Sequence, residues 1–270
     1  MKMDHFFAAD LRRCLLSARF PALVLLTAAV CMAGFSESIW LALPVSNRNM
    51  VSGLGEIERT LTFDKVKCAM AAVLAALYAG SFVEDRKHSA LRCILSRITL
   101  RQYVVCRLGT VWVGTVCTTV GGFAAACLFL KLTGLMTFRI TNGNMVAMRF
   151  LPLASGRFAF CYLIILGVNF GFSVAVAAVF GMWVSTYREE KFTAVGGTVL
   201  FFYFLYAVSN YFLPELLSFE TIGSRMNQNV FMSNAGVLLY HGIYLGIWYC
   251  LAGTLFYISV RRRWNRGQLV

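Results

Sequence analysis

Long apolar runs separated by short polar stretches dominate the chain, at about 21–43, 64–83, 103–130, 158–186, 192–213 and 237–260. Each approaches or exceeds the roughly 20 residues that a helix needs to cross a bilayer. Two further stretches carry an amphipathic period instead. In 4–20, Phe7, Leu11, Cys14, Leu15 and Ala18 fall on one helical stripe with Arg12, Arg13 and Arg19 away from it. That pattern predicts a helix lying in the membrane plane and stopped by Pro21. In 84–107, Leu91, Ile94, Leu95 and Ile98 share a stripe, while Arg92, Arg97 and Arg101 lie off it. A last stretch, 214–236, is partly apolar and too short to cross; it suits a re-entrant segment if protein covers its ends.

Within the runs, a few positions stand out. Ala69, Ala72, Ala76, Ala79 and Gly80 line one face of the second run, and Gly167 and Gly171 form a G-x-x-x-G in the fourth. Small residues at that spacing let helices approach closely. Asn169, between those glycines, is expected to make an interhelical hydrogen bond. Gly242 and Gly246 repeat the spacing in the sixth run, beside a lone His241 expected to be a packed side chain. In the fifth run Phe202, Tyr203, Tyr206 and Asn210 occupy a sector of about 100°, an aromatic face that either lines a cavity or meets lipid. The stretch 44–63 reads as a short polar loop.

Composition makes the class firmer: 59% of residues are hydrophobic and 14% charged, with a mean hydropathy of +0.69. Soluble domains carry roughly 25% charged residues. The reading is one all-α integral membrane domain over 1–270 with six transmembrane helices and no room for a soluble catalytic domain.

The net charge of +13 does not point to nucleic acid, because the cations are distributed by side. With the N-terminus inside, most Lys and Arg fall in the inner segments: Lys2 to Arg19, Arg86 to Arg107, Arg188 with Lys191, and Arg261 to Arg266. This is the positive-inside pattern; it places both termini in the cytoplasm and sets basic flanks against anionic membrane lipids. The nine cysteines avoid the outer segments and form no C-x-x-C, so neither a disulfide framework nor a zinc site is expected. The first run continues to Leu43 without a cleavage-like small-x-small site, which argues against a signal peptide.

Motifs for chemistry are missing. The chain contains no G-x-x-x-x-G-K-[ST] and no H-E-x-x-H, so it lacks a phosphate-binding loop of its own and a zincin site. Glu189-Glu190 lies in a turn with no histidine helix to match. The spans read as free of the buried acids and bases that ion-coupled carriers use. If the protein moves a solute, the energy is expected to come from elsewhere.

The layout resembles the permease subunits of ABC-2-type transporters, with the G-type exporter architecture. The resemblance rests on the in-plane helix at 4–20, the acidic-then-basic loop after span two, the short turn 187–191 and the short segment before span six. Its most specific part runs from Phe82-Val83-Glu84-Asp85-Arg86-Lys87-His88-Ser89-Ala90-Leu91 to Ser96-Arg97-Ile98-Thr99-Leu100-Arg101-Gln102-Tyr103. This is similar to the family's acid at the end of span two, Leu-rich helix, and Ser, Arg and Tyr entering span three. A glycine-threonine common in the family near Ser89-Ala90 is absent.

What the resemblance implies is a permease in the plasma membrane of a bacterium, paired with a second permease chain, identical or not, and driven by a separate cytoplasmic P-loop ATPase. ATP and magnesium would be bound by that partner, with no cofactor in this chain. The cytoplasmic coupling helix between spans two and three would dock the ATPase through Glu84, Asp85, Arg86, Ser89, Leu91, Arg92, Leu95, Ser96, Arg97 and Arg101, with Arg188 and Glu189 from the second turn. Spans two and five would line the substrate path, giving Phe202, Tyr203, Tyr206 and Asn210 an uncharged aromatic lining for an amphipathic or hydrophobic cargo such as a peptide antibiotic, toxin or drug. From the residues alone two other readings stay open: a membrane scaffold or immunity protein without transport, and a membrane-embedded enzyme. The segment 84–107 likewise stays open between a docking surface and a lipid anchor.

Overall fold

The computed structural model describes residues 3–42, 52–87, 90–135, 150, 156, 158–188, 190–214, 217–223 and 233–266, and every regular element among them is a helix. In chain order these are α1 (Met3–Leu15), α2 (Arg19–Gly34), α3 (Ser36–Ala42), α4 (Gly53–Thr60), α5 (Asp64–Tyr78), α6 (Ser81–Lys87), α7 (Ala90–Leu95) and α8 (Leu100–Leu132), then α9 (Ala159–Ser185), α10 (Lys191–Phe212), α11 (Phe219–Gly223) and α12 (Asn234–Asn265). Five helical stretches are long and apolar enough to cross a membrane: Asp64–Lys87 (α5 with α6), α8, α9, α10 and α12. A sixth arises only if α1 and α2, bent by 53° at their junction, are taken together.

The first apolar run is therefore not the single span that its hydropathy predicts. At 16 residues, α2 reaches about 24 Å, short of the roughly 30 Å hydrocarbon core. It gives way at Phe35 to α3. Pro21 does not stop the preceding helix: the chain bends at 16–18, and Pro21 lies in the first turn of α2, where its missing N–H costs no hydrogen bond. The apolar stripe of α1 is also rotated from the sequence reading. Phe6, Asp10 and Cys14 are its buried positions, and they face α8. The stretch 44–63, a short polar loop by its composition, is not a loop throughout. It contains α4, started by Ser52, whose hydroxyl accepts from the Gly55 N–H, and anchored by buried Leu54, Ile57 and Leu61.

Of the candidate spans, α9 is the most buried; it packs on α8, α10 and α12. Its glycines set the close approaches. A methyl group at Gly171 would lie 2.9 Å from the Val116 Cα, and one at Gly181 would collide with the Ala194 carbonyl oxygen and Thr198. The fourth-run G-x-x-x-G thus closes a contact inside this chain, with α8. The sixth-run pair faces open space: nothing lies within 4 Å of a methyl group placed at Gly242 or Gly246. Asn169 makes the expected interelement bond, its amide donating to the Ile222 carbonyl of α11 at 2.5 Å. That bond ties part of the short segment 214–236 to the bundle; 215–216 and 224–232 lie outside the described residues. Thr115, Thr118 and Thr119 of α8 return their hydroxyls to carbonyls one turn back, which satisfies them without a partner helix.

Candidate functional site

Two polar constellations interrupt the apolar bundle, one at each end of the α5–α6 span. The first centres on Arg107, in the second turn of α8. That helix starts with a capping box in which the Thr99 hydroxyl accepts from the Gln102 N–H and the Gln102 side chain accepts from the Thr99 N–H, so the turns after it are well fixed. Arg107 is 1% exposed. Its guanidinium donates to Asp10 Oδ1 at 2.6 Å and to the Tyr103 hydroxyl at 3.3 Å, and it also reaches Tyr78 and Asp85. The Tyr78 and Tyr103 rings lie with their centroids 5.2 Å from the guanidinium carbon.

The carboxylates are shared in turn. Tyr103 donates to Asp85 Oδ2 at 2.9 Å, Tyr78 donates to Asp10, and the Thr110 hydroxyl sits 3.0 Å from Asp10 Oδ2. Arg13 donates to Asp85 Oδ1 at 3.0 Å. Two acids, Asp10 and Asp85, thus meet two guanidiniums, Arg107 and Arg13. A buried charge needs such a partner and such hydrogen bonds, because desolvation costs several kcal/mol per ion. The network joins α1, α5, α6 and α8 at one point.

Glu84, next along α6, gathers another set of cations: Arg13 at 3.2 Å, Arg19 at 3.0 Å and Lys191 at 2.6 Å. Arg86 donates to the Thr186 carbonyl at 3.4 Å, joining α6 to the end of α9. Of the expected docking residues, Arg92, Ser96, Arg97, Arg101 and Arg188 are exposed and Leu95 is half-buried. Asp85 and Leu91 are each 1% exposed. Their side chains are consumed inside this chain, one by the ion network and one by the core, and offer no surface to a partner. Glu84 and Arg86 are half-buried and engaged as above, whereas Ser89 and Glu189 lie outside the described residues.

At the opposite end of α5, a cavity of about 350 Å³ is lined by Phe202, Tyr203, Tyr206 and Asn210 together with Asp64, Lys67 and Glu220. Tyr203 is largely exposed at its mouth, and Phe202 and Tyr206 are buried behind it. The uncharged lining expected from the sequence is corrected here. Lys67 is 1% exposed, with its ammonium 2.9 Å from Asp64, 3.4 Å from Glu220 and 4.8 Å from the centroid of the Tyr206 ring. Asn210 donates to Glu220 and accepts from the Ser218 hydroxyl at 2.8 Å. A buried lysine over the Tyr206 ring fits cation–π stabilisation as well as pairing.

Lys67 and Arg107 also correct the expectation that the spans hold no buried charge. The signal for both was present as basic residues inside the apolar runs. Asp64 lies one helical turn before Lys67 and follows the i,i+3 spacing of helical ion pairs, but Glu220 for Lys67, and Asp10 and Asp85 for Arg107, lie far off in sequence, where no spacing rule links them.

Near this end, the Tyr162 hydroxyl donates to Glu58 Oε2 at 3.0 Å. Burial pushes the Glu58 carboxyl up to about 7, against the opposing pull of that hydrogen bond. Among the described residues no cluster of His, Cys, Asp or Glu is arranged to hold a metal ion. The chain matches no protein-family model, and a search of characterised proteins finds no significant match.

Proposed function

We propose that this chain is the membrane-spanning permease subunit of an ATP-driven exporter of the ABC-2 type. In this reading it sits in a bacterial plasma membrane with both termini in the cytoplasm, and it works with a second permease chain and a cytoplasmic P-loop ATPase. The observation that carries the reading is the build of the segment after span two. It pairs an exposed basic surface (Arg92, Arg97, Arg101, with Ser96 among them) with an internal anchor, Asp85, ion-paired to Arg107 at the start of α8 and to Arg13 of α1. A lipid anchor needs the cations but gains nothing from a buried ionic joint to the next span. A lever that must pass a push from a docked ATPase to the helices needs both.

The substrate path in this reading includes the cavity of Phe202, Tyr203, Tyr206 and Asn210. Its aromatic walls suit an amphipathic molecule, and Asp64, Lys67 and Glu220 give that molecule's polar part something to meet. The chain itself performs no catalysis; ATP and magnesium belong to the partner.

The test is gentle extraction of the tagged full-length chain from its native host. Recovery of a P-loop ATPase at near one-to-one stoichiometry, with hydrolysis stimulated by an amphipathic cargo, is the expected result. Reproducible recovery without an ATPase and without ATP-dependent activity would overturn the permease reading and leave a membrane scaffold or immunity protein.

A further inference from the structure

A separate cleft of about 660 Å³ opens where the α1–α2 bend, the end of α5 and the start of α10 meet. Its polar rim holds Arg13, Arg19, Lys191 and Glu84; its walls include Ala76, Leu77, Phe192 and Val195. The rim is short of negative charge. Glu84 Oε1 alone serves both Arg19 and Lys191, and Arg13 divides itself between Glu84 and Asp85. Arg19 and Lys191 are still more than half exposed, so they retain capacity for a further anion.

Three other observations point into the same cleft. Ser81 lines it while only 3% exposed, and its hydroxyl has no hydrogen-bond partner among the described residues. Arg19 and Lys191 are the first residues of two long apolar helices, and neither helix start carries a side-chain cap. The positive end of each helix dipole favours an anion there. Phe192, at 88% exposure, extends the apolar wall outward from the cations.

We propose that this cleft binds one anionic phospholipid. The phosphodiester sits between Arg19 and Lys191 with the Ser81 hydroxyl donating to it, and an acyl chain runs along Ala76, Val195 and Phe192. Arginine and lysine make charge-assisted hydrogen bonds to phosphate. A headgroup at the first residue of the α10 span, beside the start of the apolar helix α2, also lies at the depth where the bilayer keeps its own phosphates. A free phosphate would use the rim but leave the apolar wall uncovered, which is why the inference commits to a lipid. It does not depend on the permease reading, only on the bundle being embedded in a membrane.

The test uses the full chain purified in mild detergent, with native mass spectrometry and thermal unfolding as readouts. The probes are phosphatidylglycerol, phosphatidylcholine of the same chains, and inorganic phosphate. One phosphatidylglycerol should be retained per chain and raise the unfolding temperature, and phosphatidylcholine should be retained about tenfold less. The double variant R19Q/K191Q should lose that preference. Ala76→Phe, at an exposed position that fills the wall and leaves every charge in place, should lose retention of both lipids. Equal retention of the two lipids, or unchanged binding in both variants, overturns the proposal. A loss confined to R19Q/K191Q also overturns it, by reducing the cleft to a surface charge effect. So does inorganic phosphate that displaces the lipid and reproduces the thermal shift.

Discussion

Arg107 is a full guanidinium at 1% exposure among packed helices, and its neighbours explain how that is tolerated. Each carboxylate it meets is bridged by a tyrosine, and Arg13 supplies the second positive charge. Removing Arg107 would leave buried Asp10 without a cation and Asp85 with Arg13 alone. Arg107→Met is expected to cost about 3–5 kcal/mol, read as a lowered midpoint in detergent unfolding. Arg107→Lys should recover only part of that, since an ammonium cannot span the donor directions of the guanidinium fork. An unchanged midpoint for Arg107→Met would mean the network is not a stabilising joint. Sequence reasoning placed Arg107 among the loop cations because its position in a basic run looks the same as that of Arg101, which is exposed.

Glu58 supports a second prediction at this scale, one of pH. Its carboxyl rises from an ordinary 4.5 to about 7 through burial, so between those values the folded chain holds a proton that the unfolded chain has released. Stability should therefore fall as pH rises from about 4.5 to about 7, then level off. Glu58→Gln, which keeps an acceptor for Tyr162, should flatten that slope. A wild-type unfolding midpoint no more pH-dependent over this window than that of the variant would refute the assignment.

Among the elements, α9 shows what the sequence did and did not declare. Its length and apolarity were plain, and so was the close approach implied by Gly167 and Gly171; which neighbour they meet was not. The structure gives that neighbour as α8, at Val116 and Val120. Gly171→Leu should force these helices apart and lower both folded yield and unfolding temperature. Gly246→Leu, on the open face of α12, should change neither by a comparable amount. Equal effects would mean that α12 has a partner at that face. Shorter elements were harder to read. Gly53, Gly55 and two glutamates made α4 look like a loop, although Leu54, Ile57 and Leu61 already carried its helical period. In α1 a rotation of about 100°, one residue's turn, moved the buried stripe onto Phe6 and Asp10, because a buried acid is invisible to a rule that counts apolar positions.

At the scale of the whole molecule, the Arg107 network and the aromatic cavity lie at opposite ends of one helical span. Asp85 and Lys67 are separated by roughly 27 Å at about 1.5 Å per residue. Hydropathy laid out this span correctly, because crossing a bilayer imposes a length that the chain cannot disguise. The two polar ends were legible only in part, since ion pairs between distant segments obey no period. In the permease reading this geometry separates docking from transmission, and the two can be broken independently. Arg92 and Arg97 are exposed and bear on docking alone, so Arg92→Glu with Arg97→Glu should abolish recovery of the ATPase while leaving the unfolding temperature of this chain unchanged. Asp85 is buried and bears on transmission, so Asp85→Asn should leave the ATPase bound but loosen the joint to α8, giving hydrolysis that cargo no longer stimulates. If the paired reversal left the ATPase bound as before, the exposed arginines would be lipid contacts and the ionic joint would serve stability alone. If Asp85→Asn instead released the ATPase, docking and transmission would not be separable in this fold, and the lever account would fail even with the partner present.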